Sequence, residues 1–270
     1  MQPVNRLTYQ DLGKGPAVVF LHDSLLTPDC WQRQINPLVK SGFRLILPDL
    51  SSGHGNGQLT TYSNGVIDLL NRLGLGRVVI CGMGLGGAIA FDLLERHQNR
   101  FAGACFIATR PVPDDIHEKA RRAEVISDLQ TEDGWPVRED LLKMLFGGRE
   151  NRLSDATQMT IRRMVHSHDR KSIICSLKAM AERKDYTSLL NKLQLPTMVI
   201  GAEHDLICHP GHTQIMAGRL PNCFRAVSLD AGHLLQYEQA EAFNRQILDF
   251  LAAIVPRRCR IPASCARKAA

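Results

Sequence analysis

Three positions carry the chain's most specific chemical pattern: Gly84, Asp205 and His233. His233 follows Gly232 in the run Leu229-Asp230-Ala231-Gly232-His233, and Asp205 ends the run Gly201-Ala202-Glu203-His204-Asp205. An imidazole oriented by a carboxylate is a general base or acid. Its usual client is a hydroxyl on a sharp strand-to-helix turn of the form G-x-S-x-G. Gly82-Met83-Gly84-Leu85-Gly86 has the glycines of such a turn, with Val78–Cys81 as the strand entering it and Gly86–Arg96 as the helix leaving it. Gly84 stands where the hydroxyl belongs. The simpler explanations are a solvated loop histidine and a loop-capping aspartate, with Glu203 and Asp230 as other acids. Order and spacing argue against them: 121 residues separate Gly84 from Asp205 and 28 separate Asp205 from His233. The first gap accommodates an inserted helical block, the second a single helix and strand.

The glycines also match G-x-G-x-x-G at Gly82, Gly84 and Gly87. That dinucleotide pattern opens a first βαβ unit and needs an acid closing the next strand. Here it sits at the fourth or fifth strand, and the next one, Ala102–Ala108, runs into Thr109-Arg110. Other hydroxyls or thiols fit the missing nucleophile poorly. Cys81 is a strand residue, Ser24 lies in a loop that should offer its backbone, and Ser51 and Ser52 have no assigned base. Two routes remain: water activated by His233, or proton chemistry that needs no nucleophile.

The elements that must position these groups alternate between short apolar runs and helical patterns, the signature of a parallel sheet with crossover helices. Strands are expected at Leu7–Gln10, Ala17–His22, Phe43–Leu47, Val78–Cys81, Phe101–Ala108, Thr197–Gly201 and Arg225–Leu229. Helices are expected at Trp31–Val39, Ser63–Leu73, Gly86–Arg96, Thr213–Leu220 and Ala240–Ile254. The glycine-rich run around His54 reads as loop. From Pro111 to about Leu193 the pattern is charged and helical with no convincing strand. The expected organisation is a core of 1–110 and 194–256, a helical cap insertion 111–193, and a basic, unstructured tail 257–270.

Composition sets outer bounds. The 270 residues are 44% hydrophobic and 22% charged, ordinary for a globular chain, and no apolar run spans a membrane. The tail holds four Arg and one Lys with no acid, which accounts for five of the six net positive charges. That placement argues against a nucleic-acid surface. Eight cysteines show no C-x-x-C and no Cys/His zinc spacing, so reduced thiols and a cytoplasmic setting are expected.

Phe20-Leu21-His22-Asp23-Ser24, Pro48-Asp49-Leu50-Ser51-Ser52-Gly53-His54-Gly55, the glycine turn, Pro196–Asp205 and Ala231-Gly232-His233 together resemble an α/β-hydrolase-fold protein over about residues 5 to 255. Within that superfamily the chain is most similar to the 3-oxoadipate enol-lactonase-like, small-molecule esterase branch. The resemblance implies an α/β fold: a mostly parallel sheet, helices on both faces and a helical cap. It implies Gly84 at the nucleophile position, Asp205 as triad acid and His233 as triad base. It also implies oxyanion donors from the backbone of Leu85 and of Ser24 or Asp23. Related folds host lyase, decarboxylase, isomerase and cyclase reactions, and the family prior is ester or lactone hydrolysis.

Asp23 departs from the family's usual Gly after His22. A carboxylate aimed at an oxyanion hole opposes developing negative charge, so Asp23 is expected to point away or be paired. Pocket residues are expected at His22, Met83, Leu145 and Met164, with a small, largely apolar or aromatic substrate. Arg162, Arg163 and Arg183 fit a substrate carboxylate or exposed cap surface equally. No cofactor, metal, nucleic acid or membrane partner is expected, and a homodimer is left open. Two other readings stand beside the enzyme: a ligand-binding pseudoenzyme, and an esterase whose serine was replaced by Gly84.

Overall fold

The structure, a computed structural model, describes residues 6–53, 56–131 and 135–255. His54 and the tail 257–270 lie outside the described residues. Seven strands form one sheet: β1 (Tyr9–Gly13), β2 (Ala17–Leu21), β3 (Arg44–Pro48), β4 (Val78–Met83), β5 (Phe101–Ile107), β6 (Thr197–Ala202) and β7 (Cys223–Leu229). Their order is β1-β3-β2-β4-β5-β6-β7, with β1 antiparallel to β3 and every other pair parallel.

Helices α1 (Gln32–Lys40), α2 (Leu59–Arg72) and α3 (Leu85–His97) connect the first five strands. Between β5 and β6 lie α4 (Ile116–Gln130), α5 (Trp135–Phe146), α6 (Asp155–Ser167), α7 (Arg170–Ala181) and the short α8 (Thr187–Leu190). After β6 come α9 (Gly211–Ala217), α10 (Leu235–Glu238) and α11 (Ala240–Ile254).

Alternation along the strands explains the layers. Successive strand side chains point to opposite faces. Val18, Phe20, Cys81, Cys105 and Met198 therefore enter one core with α1, α11 and the inserted helices. Val19, Leu21, Ile80, Phe106 and Val199 enter a second core with α2 and α3. Because both faces are covered, β2, β4 and β6 are buried at every position. Phe91 stacks on Phe106 at 4.4 Å and on Tyr186 at 5.7 Å, fastening α3 to the sheet. Burying one such side chain fully is worth about 2 kcal/mol.

The first strand begins later than the sequence suggests. Leu7 does not pair in the sheet; it is buried in the second core, while β1 extends through Gly13. Gly13 can end the strand because its φ is +81°, where a Cβ would lie 2.5 Å from the Phe43 carbonyl oxygen. The block from Pro111 to Leu193 contains helices and no strand among its described residues. Three of its helices start at side-chain caps: Asp115 and Glu118 close a reciprocal capping box on α4, Ser154 caps α6 and Asp169 caps α7.

Candidate active site

β4 ends at Met83 and α3 starts at Leu85, so one residue reverses the chain. Gly84 does this with φ +52° and ψ −114°, a conformation costly for any side-chain-bearing residue. Close packing behind it aims the helix at the turn: a Cβ on Gly86 would come within 2.3 Å of the Leu21 carbonyl oxygen. The Gly84 carbonyl accepts from the N–H groups of Gly87 and Ala88 and from the Thr109 hydroxyl. The Leu85 N–H is left pointing over the carboxyl end of the sheet, at the positive end of α3.

That N–H is not free. It donates to Asp23 Oδ1 at 2.7 Å, and the other Asp23 oxygen lies 3.3 Å from His233 Nε2. The His233 Nδ1–H donates to Asp205 Oδ2 at 2.9 Å, and Asp205 Oδ1 accepts from the N–H groups of Ile207 and Cys208. The result is a buried row, Asp205–His233–Asp23, whose far carboxylate rests on the elbow amide. Open space beside His233 was the expectation for a missing hydroxyl; the Asp23 carboxylate fills it. An ideal Cβ on Gly84 would fall 2.1 Å from Asp23 Oδ1. Asp23 does not turn away from the amide donors, as charge repulsion alone would suggest, because it is paired.

Electrostatics follow from this geometry. Burial disfavours the His233 charge, but Asp205 and Asp23 outweigh it and raise its pKa to about 10. Burial likewise disfavours the Asp23 charge. His233 together with the backbone N–H groups of Leu85 and Ser24 brings its pKa down to about 2. At neutral pH His233 is thus an imidazolium facing an ionised Asp23. Both amide donors expected of an oxyanion hole hold Asp23's own carboxylate.

The loops around the row are braced by groups that sequence spacing leaves obscure. The His22 Nδ1–H donates to the Asp23 carbonyl, while His22 Nε2 accepts from the Leu50 N–H, so this histidine is spent on loop geometry. Glu238 accepts from the Gly232 N–H and pairs with Arg149, which also reaches Asp230. The loop carrying His233 is thereby tied to the end of α5. Ala108, beside the elbow, has φ +40° and is the single non-glycine with positive φ among the described residues.

A two-lobed cavity opens between this row and the inserted helices. The inner lobe is bordered by Asp23, Gly84, Thr109, Arg110, Arg122 and Arg183. The outer lobe is bordered by Leu25, Val125, Leu141, Met144, Leu177 and Ile207 along with Asp23, Arg110 and Arg122. His233 borders neither lobe; Asp23 stands between the imidazole and the cavity.

The sequence pattern that defines the alpha/beta hydrolase family matches residues 18–246. The chain belongs to that family. A thermophilic esterase from Thermogutta terrifontis superposes with a TM-score of 0.85 at 30% identity, covering 93% of this chain and 94% of the esterase. A 2-hydroxy-6-oxononadienedioate/2-hydroxy-6-oxononatrienedioate hydrolase from Pseudomonas putida is 27% identical over 265 residues, covering 91% of each chain. The enol-lactonase from Burkholderia xenovorans shares the fold at a TM-score of 0.81 and 23% identity, covering 91% of this chain and 96% of that one.

Within this alpha/beta hydrolase, the residues expected from sequence fall into two groups. Gly84, Leu85, Asp205, His233, Asp23 and Ser24 come together, and the Ser24 hydroxyl lies 3.5 Å from Asp23 Oδ1. His22, Met83, Leu145 and Met164 do not line the cavity. His22 is the brace described above, Met83 and Leu145 are fully buried in the first core, and Met164 borders a surface groove near Tyr9 and Asp49. On α5 the neighbours Leu141 and Met144 face the cavity instead. Arg183 belongs to the inner lobe, Arg162 pairs with Glu139, and Arg163 borders the other groove.

Cys81 is buried in β4, and Ser51 and Ser52 hydrogen-bond to Asp49, away from the imidazole. Glu203 and Asp230 are exposed and take no part in the row. With His204 they form the one acid–histidine group of metal-binding size among the described residues. Arg149 and Arg152 already answer the Asp230 charge. Cys30, Cys81, Cys105, Cys175, Cys208 and Cys223 are free thiols, and no described helix is long and apolar enough to cross a membrane.

Sequence reading missed Asp23 as the group that meets the cavity. The signal was available as two coincident departures from the family pattern, a side chain gained after His22 and one lost at position 84. They compensate each other in space.

Proposed function

We propose that this alpha/beta hydrolase is an enzyme that moves protons on a small, largely apolar or aromatic molecule, without a serine nucleophile and without a cofactor. The observation that carries the reading is the Asp23 carboxylate, which sits over Gly84 on the Leu85 amide and separates His233 from the cavity. With its pKa raised to about 10 between two carboxylates, the imidazolium keeps its proton at neutral pH and serves to hold and stabilise Asp23. The Asp23 carboxylate is the group that takes a proton from substrate at the cavity and returns it to product. Enolisation, decarboxylation, cyclisation or elimination next to a carbonyl all fit such a row.

A second reading is ester or lactone hydrolysis of the enol-lactonase-like kind, favoured by the hydrolase relatives. It requires Asp23 to leave the amide donors, so that they can face a developing oxyanion while His233 activates water. A pseudoenzyme that only binds ligand is the third.

The separating experiment uses two assays on the intact chain. One follows deuterium incorporation from D2O into enolisable aryl ketones by NMR, the other follows hydrolysis of aryl esters and lactones. Exchange that falls by about 100-fold or more in His233→Ala and Asp23→Asn supports proton transfer. Ester turnover that rises in an Asp23→Gly variant supports the hydrolytic route. Ligand binding with neither activity, unaffected by His233→Ala, is the pseudoenzyme's outcome, and full activity in His233→Ala sinks the mechanism.

A further inference from the structure

The two lobes of the cavity differ in character. Leu25, Val125, Leu141 and Leu177 line the outer one alone, Arg183 lines the inner one alone, and Arg110 and Arg122 stand where the two meet, with Asp23 and Ile207. These guanidinium groups gather around Asp114, whose side chain is fully buried. Arg110 pairs with it at 2.8 Å, Arg122 at 2.5 Å, and Arg183 lies 3.0 Å away. Glu118 answers Arg110 a second time at 2.7 Å. Two carboxylates thus serve three guanidinium groups, leaving one positive charge within this cluster, with the Asp23 carboxylate across the lobe.

The excess is felt most at Arg183. Its side chain is 1% exposed, and its buried Nη2 makes no hydrogen bond despite its approach to Asp114. Burial lowers its pKa to about 10 although Asp114 pulls the other way. Asp114 and the Val112 and Met180 carbonyls already hold Arg183 at the join of insertion and core. What they leave is an Nη2 with an ion pair but no aligned hydrogen bond, and an anion supplied from the cavity would provide one. Exposed surface does not explain Arg183 at all.

We infer that the inner lobe is a carboxylate subsite. The ligand is a small organic acid whose carboxylate meets Arg122 and Arg183 while its apolar body lies along Val125, Leu141, Leu177 and Ile207. Guanidinium forks match the two oxygens of a carboxylate. The negative Asp23 on the facing wall repels the acid group toward the arginines and leaves the carbon chain beside the row. The inference rests on the proposed function only in taking this cavity as the place where substrate lies.

The test is calorimetric titration of the intact chain with 4-phenylbutyrate, its neutral amide and inorganic phosphate. The acid is expected to bind about tenfold or more tightly than the amide, about 1.4 kcal/mol, with the gap narrowing as salt is raised. Arg183→Gln and Arg122→Gln should erase the preference. Arg122→Lys, which keeps the charge beside Asp114 but loses the fork, should still weaken it about threefold and covers the case in which the glutamine variants misfold. Equal binding of acid and amide, a preference that survives Arg122→Gln and Arg122→Lys, phosphate binding as tightly as the acid, or no binding at millimolar acid would each overturn the proposal. His233→Ala reads the other hypothesis: lost turnover with the acid preference intact speaks for both, and retained turnover refutes only the proton row.

Discussion

A hydroxymethyl group on Gly84 and the Asp23 carboxylate compete for one position, since the Cβ alone would come 2.1 Å from Asp23 Oδ1 and 2.3 Å from its Cγ. The backbone at φ +52° adds strain for any side chain there. The two residues therefore behave as one exchange of function rather than two separate changes. Gly84→Ser by itself is expected to destabilise the chain and to leave 4-nitrophenyl acetate almost untouched. Gly84→Ser combined with Asp23→Gly restores both the hydroxyl and the amide donors, and should raise esterase turnover about 100-fold over either single variant. Strong esterase activity in the single Gly84→Ser chain would instead mark a serine enzyme interrupted at one codon. Asp23→Asn tests the electrostatic half. It removes one of the two anions that raise the His233 pKa to about 10, so the imidazole signal in an NMR titration should move to lower pH. An unmoved midpoint would mean that Asp205 alone sets the charge.

Elements come next, and their most exposed weakness is the join between sheet and inserted helices. Asp114 stands just before α4, Arg110 just after β5 and Arg183 just after α7, so one buried carboxylate binds the two ends of the insertion to the core. Asp114→Asn leaves three guanidinium groups with a single acid, and should lower stability by about 3 kcal/mol in urea titrations. A loss within a few tenths of a kcal/mol would show the cluster to be solvent-relaxed. How legible all this is from sequence depends on range. The strands of the central sheet show as apolar runs, because burial on both faces leaves β2, β4 and β6 almost without polar side chains, Thr197 at the start of β6 being the exception. The elbow shows because close backbone approach at Gly82 and Gly86 leaves glycine almost no alternative. Helix periodicity in the insertion is visible too, but which stripe faces the cavity is not. Leu141 and Met144 line it, whereas Leu145 turns into the core, a difference of one position on the same helix. The Asp114 cluster joins residues up to 73 positions apart, and no local pattern records such a meeting.

At the scale of the whole molecule, family membership supplies a scaffold and a cavity but not a reaction. The ionic row offers a global readout that depends on neither substrate nor turnover. His233 has a folded-state pKa raised to about 10 from an ordinary 6.5, so its contribution to stability is complete below about 6.5 and disappears as pH rises through about 10. Asp23 has the opposite sign: lowered from 3.8 to about 2, it contributes above about 3.8 and loses that contribution as pH falls through about 2. Both contributions are therefore at full strength between about pH 4 and 6.5. Stability from urea unfolding should plateau there and fall steadily toward pH 10. Tyr62, Tyr186 and Tyr237, whose pKa values burial raises above the ordinary 10, add their own loss only as pH reaches about 10, where the unfolded chain's tyrosines ionise. Lysines do ionise in that range, so the diagnostic is the difference between the native chain and Asp23→Asn. With one anion gone, the imidazolium is held less tightly, so the alkaline loss should still begin near pH 6.5 but end at lower pH and be smaller in total. Parallel stability profiles for the two chains from pH 6 to 10 would show that Asp23 takes no part in holding the proton: an alkaline fall shared by both would leave Asp205 alone setting the charge, and no fall in either would mean an imidazole uncharged in the folded state.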